Sequence, residues 1–379
     1  MQALFWALVG LLIYIYVGFP LLILLRGWLR PRPYRCEDIT PSVSIIIAAR
    51  NEEATIEAKL ENLLALDYPE DQLEVVIASD GSDDRTGAIV SRYQNARVCL
   101  LSLPRVGKAE ALNAAIACAR GELLVFSDAN SMYCRDAIRV LVRPLADEAV
   151  GGVAGNQVYL SSDGGDASTV GEQRYWDFDR LLKVAQSRSG SVTGATGAIY
   201  AIRRALVHPI RGDVNDDLLN SLRVVAQGHR LVFEPQAIAY EPVTETAVVT
   251  FARRVRVVVR GLRCVFVMRQ LLNPFRYGFF SLQLLSHKVL LRTAAIPLVI
   301  LAAVSVLLWP QGWIYQAAAL SQAVFYALGL GGILLVERPI ARHWLLAFPA
   351  FFCLVNAATV KALWQLIRGE QLERWEPER

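Results

Sequence analysis

Ser42-Val43-Ser44-Ile45-Ile46-Ile47-Ala48-Ala49-Arg50-Asn51-Glu52 is a short β-branched run that ends in three strongly polar residues. An apolar run of this length with a polar boundary reads as a buried strand. The rhythm continues: a helix is predicted from about Glu52 to Leu66, a strand at Val75-Val76-Ile77-Ala78, a helix from Lys108 to Arg120 and a strand at Leu123-Leu124-Val125-Phe126. Strand, helix, strand in this order specifies an α/β domain with a mainly parallel central sheet and helices on both faces, placed at residues 40–245. Ligands of such sheets bind at the carboxyl ends of the strands.

The residues that follow the strands are the polar ones. Ala49-Arg50-Asn51-Glu52 follows the first, Ser79-Asp80-Gly81-Ser82-Asp83-Asp84 the second and Ser127-Asp128-Ala129-Asn130 a later one. Asp, Asn and Ser cap helices and make turns routinely, so any one of these loops is explained by capping. Three of them on one sheet edge point to a site. Further along, Ser161 to Asp166 reads as a surface loop. Arg253, Arg256, Arg260 and Arg263 share one face of a predicted helix, which reads as an amphipathic interface segment across 246–290.

Outward from this middle the chain turns apolar. Hydrophobic residues make up 54% of the 379 residues and charged ones 20%, too apolar for an ordinary soluble protein. Leu4 to Leu25, Thr293 to Val336 and Trp344 to Val360 are free of charge. About 20 apolar residues cross a bilayer, so an anchor is expected at 1–28 and further transmembrane helices at 291–366, with a turn near Pro310-Gln311-Gly312. The segment from Trp344 is marginal in length.

Arg26, Arg30, Arg32 and Arg35 follow the first span, and the positive-inside rule places the domain behind it in the cytosol, at a plasma or inner membrane. Three full spans after the domain would put the tail 367–379, read as basic, on the outer side. Either the Trp344 segment then stops short of crossing, or the stretch around Phe275 to Leu291 enters the membrane as well.

Six cysteines show no CxxC pair and no zinc spacing with the four histidines. The net charge of +4 comes with no nucleic-acid motif; membrane lipids, not nucleic acid, are the expected charged partner.

Taken in order, the loops resemble the family 2 inverting glycosyltransferases, the group with cellulose, chitin and hyaluronan synthases and sugar transferases that act on lipids. The resemblance runs from about Ser42 to Gly261. It implies a GT-A-like nucleotide-sugar-binding domain, with Ala49, Arg50 and Glu52 in the first donor-binding segment, Asp80 as the base-binding aspartate and Lys108, in Gly107-Lys108, on the donor diphosphate. Asp128 and Asn130 stand in the place of the family's metal-binding acidic pair, implying a divalent cation, Mg2+ or Mn2+. Asn130 departs from that pattern, since its neutral carbonyl oxygen is a weaker ligand than a carboxylate.

Asn215-Asp216-Asp217-Leu218 resembles the Thr-Glu-Asp segment, with Asp217 as the base that deprotonates the acceptor and Asp216 beside it. Gly194, Thr196 and Gly197 resemble the segment that shapes the acceptor site. Arg253-Arg254-Val255-Arg256-Val257 stands where the family has Gln-x-x-Arg-Trp; Arg253, Arg254 and Arg256 are assigned to the diphosphate region, and Val257 offers no aromatic platform.

The resemblance therefore implies a membrane-bound transferase that moves a sugar, from a UDP-sugar before a GDP-sugar, to a lipid or glycan acceptor in one or a few additions. A processive polysaccharide synthase coupled to export is the first alternative. A non-catalytic membrane scaffold with the same fold is the second.

Overall fold

A computed structural model describes residues 1–95, 97–160, 167–242, 247–336 and 338–370. The loop expected at Ser161 to Asp166 and the tail beyond 370 lie outside these residues.

The opening run is strand β1 (Val43–Ala49), buried at all seven positions. That explains its unbroken apolar character, because a strand covered on both faces has no polar side to alternate with. Helix α2 (Ile56–Leu64) follows, after the N-terminal helix α1 (Gln2–Leu29). It starts later than the sequence suggests: Asn51 has φ +51 and turns the chain before the helix. Then come β2 (Leu73–Asp80), α3 (Thr86–Arg92), β3 (Val98–Leu103), α4 (Lys108–Cys118), β4 (Leu123–Phe126), β5 (Met132–Tyr133) and α5 (Ala137–Val142). Strands β6 (Val150–Leu160), β7 (Tyr200–Arg203) and β8 (Arg230–Pro242) complete the sheet, with helices α6 (Ala167–Ser189) and α7 (Asp216–Ala226) among them.

The strand order is β3-β2-β1-β4-β7-β6-β8-β5. The pairs β3–β2, β2–β1, β1–β4 and β6–β8 are parallel. The pairs β4–β7, β7–β6 and β8–β5 are antiparallel. The ends of β1, β2, β4, β6 and β8 and the start of β7 therefore share one edge.

Alternate side chains of β1 feed two cores. Ile45 and Ile47 pack with Ile56, Leu60 and Leu141, and Ile46 and Ala48 pack on the other face with Leu112, Ala115 and Leu222.

After the sheet, α8 (Ala247–Val267) covers the predicted amphipathic segment. Its apolar side, Val255, Val258 and Val259, packs on Ala358 and Ala362 of α12 (Trp344–Ile367). Between them lie α9 (Phe279–Thr293), α10 (Ala295–Leu307) and α11 (Trp313–Leu334). A turn at Trp309–Gln311 joins α10 to α11, where the sequence places it.

Three described helices, α1, α11 and α12, are long and apolar enough to cross a membrane, and α9 with α10, bent by 55°, would make a fourth. Helix α12 has 24 residues rather than a marginal length, because it continues through Lys361, whose ammonium lies over the Phe251 ring at 5.6 Å.

Helix α1 is fastened at both ends. Phe5, Leu8 and Leu12 pack on Leu301, Val304, Leu308 and Tyr315, and Gln2 Nε2 donates to Gln311 Oε1 at 2.8 Å. At the other end Gly27 lies so close to Ala185 of α6 that a Cβ would sit 2.8 Å from its carbonyl oxygen. The residues Arg368 to Arg379 carry three arginines against four glutamates, so the tail is not basic and its charge assigns it no side.

Candidate active site

The shared sheet edge is built from the ends of buried strands, which fix the backbone and leave the next residues free to point outward. Ala49 ends β1 fully buried, and Arg50 beyond it is 6% exposed. Arg50 reaches Asp83 at 4.0 Å through Nη2; its Nη1 is buried without a hydrogen-bond partner among the described residues. Glu52 is occupied locally: its N–H donates to Thr86 Oγ1 at 2.8 Å and its carboxylate accepts from Thr55 Oγ1 at 2.9 Å.

Asp80 is fully buried. The N–H groups of Val106 and Gly107 donate to its Oδ1 at 2.6 and 2.9 Å, and Gly107 also to Oδ2 at 3.0 Å. Its carboxylate thus fixes the loop that starts α4. Gly81 makes the approach of that loop possible. It has φ +57, and a Cβ there would lie 2.7 Å from the backbone nitrogen of Arg105.

Lys108, the first residue of α4, is brought to the centre. Its Nζ lies 3.2 Å from Asp128 Oδ1 and 3.5 Å from Asp216 Oδ2. Burial works against the ammonium charge, but Asp128 and Asp216 outweigh it and hold the group charged. Burial likewise opposes the charge on Asp128, and Lys108 overrides it, so its carboxyl is held below the ordinary range.

Asp217 differs. Burial and then the neighbouring Asp216 push it up to about 6. Its Oδ1 accepts from the Leu218 N–H at 2.6 Å. The two aspartates open α7 after Asn215, as a helix N-terminus prefers.

Gly197 faces Asp128 directly: a Cβ would sit 2.7 Å from its Oδ2. Next to it, Thr196 Oγ1 is buried with no partner among the described residues. Gly194 contacts Leu218 of α7.

The three arginines of α8 diverge. Arg253 donates to the Tyr159 hydroxyl at 3.0 Å and its charge reaches Asp128. Arg254 lies over the Phe351 ring of α12 at 5.4 Å. Arg256 lies within electrostatic reach of Arg260. The edge thus gathers Arg50, Lys108, Asp128, Asp216, Asp217, Gly197 and Arg253.

Among the described residues no group of three or more His, Cys, Asp or Glu side chains is arranged to hold a metal ion. A hard cation such as Mg2+ needs only one or two protein oxygens when waters and phosphates supply the rest. Asp128 and the half-buried Asn130 offer one carboxylate and one amide oxygen, the ligand type that such a cation takes.

Two residues at this site escape sequence reasoning. Lys59 of α2 is fully buried; its ammonium donates to the Ser131 carbonyl and lies 3.9 Å from the Tyr133 ring centre. Burial lowers it to about 7, against the pull of Asp128 and Glu241. Glu241, near the end of β8, accepts from Ser131 Oγ and Gln157 Nε2, and burial followed by the charge of Asp128 raises its carboxyl. Both brace the loop that carries Asp128. The only signal in the sequence was a lysine among the apolar positions of a helix, which reads as a solvated charge.

Residues 44–210 match the glycosyl transferase family 2 domain. A probable glycosyltransferase of Bacillus subtilis, YdaM, is 28% identical over 279 residues, 67% of this chain and 65% of that protein. A beta-monoglucosyldiacylglycerol synthase of Trichormus variabilis is 28% identical over 228 residues, 58% of this chain and 48% of that protein. The chain thus spans from about half to just under two thirds of these relatives.

Among solved structures, a mannosyltransferase from Pyrobaculum calidifontis in complex with GDP-Man and Mn2+ superposes with a TM-score of 0.68 at 26% identity, covering 96% of this chain and 99% of that one. These likenesses lead to one conclusion: residues 44–210 of this chain match the glycosyl transferase family 2 domain, on a fold similar to that of the Pyrobaculum calidifontis mannosyltransferase.

Proposed function

We propose that this protein is a membrane-integrated inverting glycosyltransferase that moves one or a few sugars from a nucleotide-sugar to a lipid or glycan acceptor, with its catalytic domain in the cytosol. The observation that carries the reading is Asp217: a carboxylate held near neutrality, beside an ion-paired Lys108 and Asp128 at the ligand-binding edge. A base must be ionised at working pH yet basic enough to take a proton, and a carboxylate raised to about 6 meets both needs.

In this reading Lys108 and Arg253 neutralise the donor diphosphate, Arg50 uses its unpartnered nitrogen on the nucleotide, and Thr196 offers its hydroxyl to donor or acceptor. Asp217 takes the acceptor proton as the acceptor oxygen attacks the anomeric carbon, the bond to the diphosphate breaks on the opposite face, and the configuration inverts. Asp128 and Asn130 would hold a divalent cation, which would offset charge on the departing diphosphate.

In this reading the donor is a UDP-sugar before a GDP-sugar. The membrane reading is supported by the three long apolar helices and the bent pair. A processive synthase is the second reading, favoured by an aromatic pair, Tyr159 and Trp176 with ring centres 5.4 Å apart, beside Arg253.

The test is release of nucleoside diphosphate from a panel of UDP- and GDP-sugars by the full chain in nanodiscs, with product masses. Turnover that disappears with EDTA, returns with Mn2+ or Mg2+ and is lost in Asp217→Asn, while donor binding persists, is expected. Normal turnover in that variant would remove the base assignment, and long products would favour the synthase.

A further inference from the structure

The polar loop after β4 is gripped from behind. Its turn closes through the Ser131 N–H, which donates to the Asp128 carbonyl at 3.3 Å, and Ser131 is fully buried. Two elements hold that residue. The Lys59 ammonium of α2 donates to its carbonyl, and its hydroxyl donates to Glu241 Oε1 near the end of β8.

Glu241 has a second arm. Its Oε2 accepts from Gln157 Nε2, the same nitrogen donates to the Tyr159 hydroxyl at 3.0 Å, and that hydroxyl accepts from Arg253 Nη2 of α8 at 3.0 Å. The strands explain why these side chains meet. Gln157 and Tyr159 are two apart on β6 and so share a face, and the parallel register sets Tyr159 opposite Glu241. An unbroken line of hydrogen bonds thus runs from the turn beneath Asp128 to Arg253.

Glu241 is 5% exposed and both its oxygens are occupied, so it acts through its neighbours. A carboxylate withdrawn from water requires such donors. One oxygen faces the loop that carries Asp128 and the other faces the route to Arg253, whose charge reaches both Asp128 and Glu241. An amide at this position would turn its NH2 toward one of the two donors and break one arm.

We infer that Glu241 is a positioning residue of the transfer reaction: through Ser131 on one side, and through Gln157 and Tyr159 on the other, it sets Arg253 and Asp128 relative to one another around the donor diphosphate. This rests on the glycosyltransferase reading, which gives Arg253 and Asp128 their work on that group. The part of Tyr159 in it belongs to its hydroxyl, which aims the guanidinium, and not to its ring.

The test measures binding of GDP and UDP, and of GMP and UMP, to the full chain in nanodiscs with Mn2+, by calorimetry, in Glu241→Gln, Tyr159→Phe and the double variant. Each single change is expected to weaken the diphosphates about tenfold, the size seen when a partner behind a metal ligand is lost, and to leave the monophosphates within about twofold. Because the two residues act along one line, the double variant is expected to lose about tenfold in total and not the product of about a hundredfold. A multiplied loss in the double variant, equal weakening of the monophosphates, or unchanged binding in either single variant would overturn the inference. If Glu241→Gln does not fold, Gln157→Leu cuts the same line and takes its place under the same expectations. Release of nucleoside diphosphate from sugar donors separates the two readings: its absence in the unchanged chain, with the diphosphate pattern intact, counts against transfer alone. Failure of the unchanged chain to bind either diphosphate would overturn both.

Discussion

Asp217 and Lys59 show what single residues contribute. If Asp217 is the base, transfer rises with pH as the carboxyl ionises, with an acid limb near 6 in kcat/KM. Replacing Asp216 by Asn removes a like charge and should move that limb to lower pH, which a pH–rate profile would show; an unmoved limb would separate the limb from this pair. Asp217→Asn itself is expected to lower turnover by about 100-fold or more.

Lys59 has the opposite sign. Its folded value, about 7, lies below its ordinary 10.5, so between these values the unfolded chain binds more protons and stability rises with pH. Lys59→Met should flatten that rise in melting curves taken from pH 7 to 10. The aspartates of the site were legible because strand order and loop position put them on one edge. Lys59 and Glu241 were not, because their significance comes from burial under a loop that only the tertiary structure brings over them. Asp80 was found as a residue, yet its partners, the N–H groups of Val106 and Gly107, were not visible in any pattern.

At the scale of elements, the sequence was most informative where one rule governs. Strands β1, β2 and β4 appear within three residues of their expected ends, and the turn at Trp309–Gln311 falls in place. The antiparallel pairing of β7 is set by contacts between distant strands, which no local pattern encodes. The turn between β2 and α3 depends on Gly81; Gly81→Ala forces a side chain into positive φ against Arg105, a strain of about 1–3 kcal/mol that a lowered Tm would report.

Helix α12 also settles into an arrangement that length alone does not reveal. Its first half packs antiparallel on α11 through Gly329 and Gly332, its second half lies along α8, and just beyond it the Glu370 carbonyl accepts from Arg263 Nη2 of α8 at 2.6 Å. Both of its ends therefore lie near the catalytic domain, and the tail is expected on that side. In a chain otherwise free of reactive cysteines, a cysteine placed at Glu370 should share the label protection of Cys36, which is exposed after α1. One at Gln311 should show the reverse; a Glu370 site that labels with Gln311 would mean that α12 crosses.

For the whole molecule, the sheet carries the charged edge and the apolar helices flank it, with α8 and α9 joining the two. That division was legible from composition, since charge-free runs flank a polar middle. The joints between them, Arg263 on Glu370 and Gln2 on Gln311, depend on residues hundreds of positions apart or on opposite sides of the site, and only the folded chain shows them.

The fastening of α1 has a consequence for how the protein is made. Phe5, Leu8 and Leu12 are translated nearly three hundred residues before Leu301, Val304, Leu308 and Tyr315, which cover them. Helix α1 must therefore wait without this seam while the sheet domain is made. A nascent chain stopped before Ala295 would expose that seam, so protease resistance of α1 should appear only after the final third of the chain has been synthesised.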